Sequence, residues 1–187
     1  MDVFLSFNGR GYYISIITFA GIKTNPVLVE STKLLINEND TMGADVNQSK
    51  QFLLDQRYLK MAVVWAQNSY CKRRQVGALL VKDKMIISDG YNGTPSGFEN
   101  NCEDENNRTF PYVLHAEANA ITKVAKSNNS SEGATLYVTS SPCLECSKLI
   151  IQAGIKRVVF YDSYHMADGI ELLEKAHIEV VQVELDS

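Results

Sequence analysis

From about Ser49 onward, apolar and polar residues fall into blocks with helix or strand periods. Leu54, Tyr58, Met61 and Trp65 stand at i, i+4, i+7 and i+11, which predicts the buried face of an amphipathic helix. Two short apolar runs, 76–81 and 85–88, flank Lys82-Asp83-Lys84 in the pattern of a β-hairpin. Residues 90–97, Gly-Tyr-Asn-Gly-Thr-Pro-Ser-Gly, form a turn-rich loop, and a polar insert follows over 99–108. Beyond it the predicted elements alternate: helix 116–126, strand 135–139, helix 143–153, strand 157–161, helix 169–176 and strand 178–183. This alternation predicts an α/β fold with a central sheet covered on both faces. The opening hairpin makes the sheet mixed, antiparallel first and crossing over in parallel later.

Residues 1–48 read as an N-terminal extension of unassigned role, followed by the main domain over 49–187. The first half of the extension is strand-like, the second polar, and neither carries a chemical motif. It holds too little apolar material for a core of its own. Three readings stay open: it packs on the main domain, it stays poorly ordered, or synthesis normally begins at Met42. The longest apolar run, residues 12–22, is far short of the roughly 20 residues that span a bilayer. Asp2 offsets Arg10, and no small-residue cleavage site follows, so the run is a poor signal peptide.

Charge and cysteine usage narrow the function. A net charge of −4 argues against a polyanion-binding protein, so no nucleic-acid partner is expected. Four cysteines without a signal peptide point to the cytoplasm, where thiols serve as metal ligands more readily than as disulfides.

His115-Ala116-Glu117 and Pro142-Cys143-Leu144-Glu145-Cys146 carry the chemistry. Together they offer one imidazole, two thiols at helical spacing, and a carboxylate beside the imidazole. Three protein ligands leave a tetrahedral zinc one open position for water, whose pKa the metal lowers towards neutrality. Glu117, not itself a ligand, is placed to move protons. This H-x-E…P-C-x-x-C pattern is the signature of zinc nucleobase deaminases. The blander reading of Cys143 and Cys146, a redox pair or half of a structural zinc ribbon, lacks a fourth ligand nearby. His115 and Glu117 lie about 200° apart on an ideal helix, so the entry to the helix must turn both towards one cavity.

With these motifs placed, residues from about Leu54 to Glu184 resemble a deoxycytidylate (dCMP) deaminase of the cytidine/deoxycytidylate deaminase superfamily. The likeness also rests on Gln75-Val76-Gly77-Ala78, on the 90–97 loop and on the stretch from Tyr112 to Ile121. It implies a three-layer αβα fold around a mixed five-stranded sheet. It implies hydrolysis of dCMP to dUMP and ammonia, feeding thymidylate synthesis. Carried over by position, His115, Cys143 and Cys146 bind Zn2+, Glu117 is the proton carrier, and Asn92 holds the sugar. It further implies a homo-oligomer, often a hexamer, activated by dCTP and inhibited by dTTP.

The 5′-phosphate needs cationic partners, and Lys72-Arg73-Arg74 is the densest basic cluster. Arg73 and Arg74 are therefore candidate substrate ligands, although short charge runs are often only solvated surface. Tyr164 is a further candidate to cover base or sugar, and Trp65 reads as core. Cys71 and Cys102 read as incidental buried thiols; some relatives hold an extra structural zinc near these regions, but no His lies between the two here. Two rival readings remain: a deaminase of another nucleobase or nucleoside, and a non-catalytic zinc domain that binds nucleotide.

Overall fold

The computed structural model describes residues 3–8, 11–16, 50–163 and 167–185. The chain divides into two units, Met1–Asn47 and Gln48–Ser187. In the first, β1 (Val3–Asn8) and β2 (Gly11–Ile16) pair antiparallel, with Val3 opposite Ile16 and Asn8 opposite Gly11.

The second unit begins with a helix, α1, over residues 50–66. There follow β3 (Gly77–Lys82), β4 (Met85–Tyr91), α2 (Ala116–Ala125), β5 (Thr135–Ser140) and α3 (Leu144–Gln152). The chain then runs through β6 (Arg157–Asp162), α4 (Asp168–Lys175) and β7 (Glu179–Gln182). The hairpin between β3 and β4 turns on Asp83 and Lys84, both in the left-handed region with φ of 51° and 63°. That two-residue geometry matches the twist of the flanking strands.

Strand order is β4-β3-β5-β6-β7. β3 pairs antiparallel with both β4 and β5, whereas β5–β6 and β6–β7 are parallel. Successive strand residues point to opposite faces, so each buried strand feeds two cores. Ala78, Leu80, Leu136, Val138, Val158 and Phe160 pack with Ala116, Ala120, Ile150 and Leu173 from α2, α3 and α4. Leu79, Val81, Tyr137 and Val159 pack on the other side with Leu59 and Ala62 of α1. This is the expected three-layer αβα arrangement with a mixed five-stranded sheet.

The face of α1 differs from expectation. Its buried residues are Asp55, Leu59, Ala62 and Ala66, one position on from the predicted stripe, while Met61 and Trp65 are exposed. The reason is close approach. A Cβ on Gly77 would collide with the backbone of Ala62 and Ala66, so only the small side of the helix fits against β3. Trp65 instead lies at the rim, where its indole N–H donates to Asp89 at 2.9 Å. Gly90 does the same for α2, since a Cβ there would strike the backbone of Ala116 and Ala120.

Asp55, a charge on the buried stripe, escaped the hydrophobic pattern. Its carboxylate receives both terminal nitrogens of Arg157 at 2.8 Å and the Tyr137 hydroxyl at 2.8 Å. Burial and the neighbouring Asp55 carboxylate push the Tyr137 phenol up, keeping it a donor. Removing one partner of such a pair typically costs about 3–5 kcal/mol, and Arg157 would keep only the exposed Glu179 carboxylate, at 2.9 Å from its Nε. Asp55→Ala is therefore expected to lower unfolding stability by about that amount in a denaturant titration, with zinc content unchanged.

Cys71 and Cys102 are also corrected: they are joined in a disulfide, not left as thiols. The turn after α1 folds against the polar insert, bringing together residues that no local pattern links. The insert closes on itself through an antiparallel bridge between Glu103 and Thr109. Among the described residues, no helix is long and apolar enough to cross a membrane.

Candidate active site

Two helix entries meet at the ends of β4 and β5. His115 is the residue preceding α2, in extended conformation (φ −74°, ψ 158°), and Glu117 lies in the first helical turn. Because His115 stands outside the helix, the 200° separation does not apply, and both side chains line one cavity. Cys143 precedes α3 in the same way (φ −75°, ψ 169°), and Cys146 sits one turn in, buried. Helix N-termini carry partial positive charge, which favours thiolate at Cys143, the residue that precedes the first turn.

His115 Nδ1 lies 3.5 Å from Cys143 Sγ and 3.4 Å from Cys146 Sγ. The three candidate ligand atoms all fall within 4.8 Å of one another. The three groups are hydrogen-bonded to one another. Hydrogen bonds from Cys146 and His115 push Cys143 down to about 3. The same pairing with Cys143, together with burial, pushes the Cys146 thiol up. Hydrogen bonding to Cys143 raises the His115 imidazole against the opposing effect of burial. Burial pushes the Glu117 carboxyl up, only partly offset by its own backbone N–H and by His115. A carboxyl raised in this way holds a proton more readily than an ordinary carboxylate, as a group that both takes and returns one must.

The donor set fits a zinc ion: two sulfurs and one imidazole nitrogen, close enough to share one ion, with the cavity on the open side. The cavity measures about 310 Å³, within the range of small-ligand pockets.

Other candidates fall around the same cavity. Asn92, Arg73 and Arg74 all line it. The Asn92 amide also braces the backbone. Its Oδ1 accepts from Val76 N at 2.8 Å and its Nδ2 donates to Arg74 O at 2.9 Å. An amide has a second lone pair and a second N–H, so one of each remains for a ligand. Arg73 donates to Thr109 Oγ1 at 3.1 Å, and Arg74 pairs with Asp162. Tyr164 lies outside the described residues. Glu103, Thr109, Ser140 and Ser141 are among the wall residues not anticipated from the sequence. The two serines directly precede Pro142-Cys143, and that adjacency was the available signal. Glu103 and Thr109 sit in or beside an aperiodic insert that gave none.

Comparison with known proteins agrees with this geometry. The family model for the cytidine and deoxycytidylate deaminase zinc-binding region matches residues 53–162. ComE operon protein 2 of Bacillus subtilis is 40% identical over 137 residues, covering 71% of this chain and 72% of the relative. Human deoxycytidylate deaminase is 41% identical over 120 residues, covering 59% of this chain and 66% of that protein. The dCMP deaminase of cyanophage S-TIM5, solved in complex with dCMP and dUMP, superposes with a TM-score of 0.67 at 48% identity. That match covers 68% of this chain and 94% of the phage chain.

Proposed function

The chain belongs to the cytidine and deoxycytidylate deaminase family, and on that premise we propose that it hydrolyses dCMP to dUMP and ammonia using zinc. The observation that carries this reading is the meeting of His115, Cys143 and Cys146 within 4.8 Å, beside a buried Glu117 that is not in their ligand set. His115, Cys143 and Cys146 would hold the ion, which supplies a water acidified towards neutral pH. Glu117 takes a proton from that water and delivers it to N3 of the cytosine ring. The water oxygen adds to C4, Glu117 carries that oxygen's second proton to the amine, and the C4–N bond breaks to release ammonia. A non-catalytic zinc domain has no use for such a carrier.

Arg73 and Arg74 are assigned to the 5′-phosphate and Asn92 to the sugar. Support comes from their shared position on the cavity wall. A phosphate dianion competes with the neutral Thr109 hydroxyl for Arg73 and with Asp162 for Arg74, whose ion pair is partly exposed. A charge-assisted hydrogen bond contributes roughly 1.5–3 kcal/mol, so two of them separate dCMP from deoxycytidine by about 10²-fold or more in kcat/KM. Steady-state kinetics on both substrates checks this, and equal values would remove the nucleotide assignment.

The cytoplasmic location now rests on the phosphorylated substrate rather than on cysteine usage, since two of the four cysteines are joined. Self-association is supported by the exposed apolar side chains Leu53, Met61 and Val64 of α1. Control by dCTP and dTTP is proposed on the 90–97 loop alone. Residues 1–48 lie before the family match, which begins at residue 53. Deleting residues 1–41 is therefore expected to leave deamination and melting temperature nearly unchanged, as thermal unfolding and turnover of the shortened chain would report.

A further inference from the structure

The segment carrying the two arginines has no helix or strand of its own. It runs from the end of α1 to the start of β3, yet its backbone is gripped from both sides. On one side the Asn92 amide holds Arg74 O and Val76 N. On the other, the buried Glu103 carboxylate accepts the backbone N–H of Lys72 at 3.1 and 3.2 Å and that of Arg73 at 3.2 Å. Glu103 comes from the polar insert, far away in sequence and next to Cys102. Cys102 is bonded to Cys71, the residue just before Lys72. Thr109, paired with Glu103 across the insert's bridge, accepts from Arg73 Nη1.

We propose that Glu103 is a positioning residue for the phosphate end of the cavity, and that the Cys71–Cys102 bond anchors it there. Resting on the assignment of Arg73 and Arg74 to the phosphate, it adds the part that fixes them. A buried carboxylate receiving backbone N–H groups makes charge-assisted bonds and holds its partners firmly. Without it, two backbone donors must find other acceptors, and the arginines lose their fixed origin. The Glu103 carboxylate lines the same cavity but bonds to the backbone of the arginine segment, not to the proton carrier or the ligand set, so its loss acts on binding of the phosphate rather than on the chemical step.

The experiment uses the zinc-loaded full chain and compares dCMP with deoxycytidine. Four proteins are measured: the unmodified chain, Glu103→Ala, Glu103→Gln, and the double variant Cys71→Ser with Cys102→Ser. Glu103→Ala is expected to raise KM for dCMP roughly tenfold, about one weak charge-assisted hydrogen bond. Its kcat should stay within about twofold, and deoxycytidine kcat/KM should barely move, if binding alone is affected. Glu103→Gln, whose amide oxygen can still accept both N–H groups, should recover most of the loss. The double serine variant should shift dCMP KM in the same direction. Unchanged dCMP KM in Glu103→Ala overturns the proposal, as does an equal loss on both substrates. Should Glu103→Ala fail to fold, a double serine variant with unaltered dCMP KM overturns it instead. An unmodified chain that does not prefer dCMP refutes the phosphate assignment itself, and the positioning role falls with it. Preference retained in full by every variant refutes only the latter.

Discussion

Glu117→Gln is expected to retain zinc and fold while losing about 10²–10⁴-fold in kcat for dCMP, the usual contribution of a positioned general acid and base. The substitution keeps shape and removes the ability to carry a proton. Glu117 is buried at the first turn of α2, and its carboxyl is raised first by that burial. Replacing it by an amide removes a group whose ionised form is penalised there, so stability should hold or rise slightly. Metal analysis, thermal unfolding and single-turnover kinetics separate these effects. Near-native turnover would move proton transfer to another residue.

Cys143→Ala and Cys146→Ala are each expected to lose metal and activity together. With three protein ligands, the loss of one leaves two, and no other His or Cys among the described residues joins the cluster. Cys146 should be the more severe, because it is buried while Cys143 is half-exposed at the cavity, where water can take the vacant position. Zinc content per chain after dialysis checks the order. Full retention of zinc in both variants would refute the ligand assignment.

The elements of the fold were legible because each strand and helix of the main domain keeps its period. Even the hairpin at Asp83 and Lys84 announced itself through flanking apolar runs, although neither turn residue is glycine. The face of α1 was not legible. Size mattered more than hydrophobicity there: Gly77 brings β3 so near the helix that Ala62 and Ala66 displace Met61 and Trp65 from the interface. Asp55 reversed its expected side for a second reason, a partner 102 residues away in sequence.

The candidate site divides in the same manner. His115, Glu117, Cys143 and Cys146 stand in two short motifs, each at a helix entry, and spacing alone suggests their roles. Asn92 and the arginines were found as candidates, but their hydrogen-bond partners were not. The Asn92 amide is directed at backbone groups of residues 74 and 76, a role invisible in composition. Glu103 and the Cys71–Cys102 bond depend on an aperiodic insert folding back across the cavity, and tertiary contacts of that kind leave no local pattern.

The most direct measurement is the yield of dUMP and ammonia from dCMP by the purified chain, before and after zinc is removed with a chelator and restored. Equimolar dUMP and ammonia should form, cease on chelation, and return on adding zinc alone. A zinc-loaded, folded chain that binds dCMP yet forms no dUMP would contradict the assignment of this site to deamination.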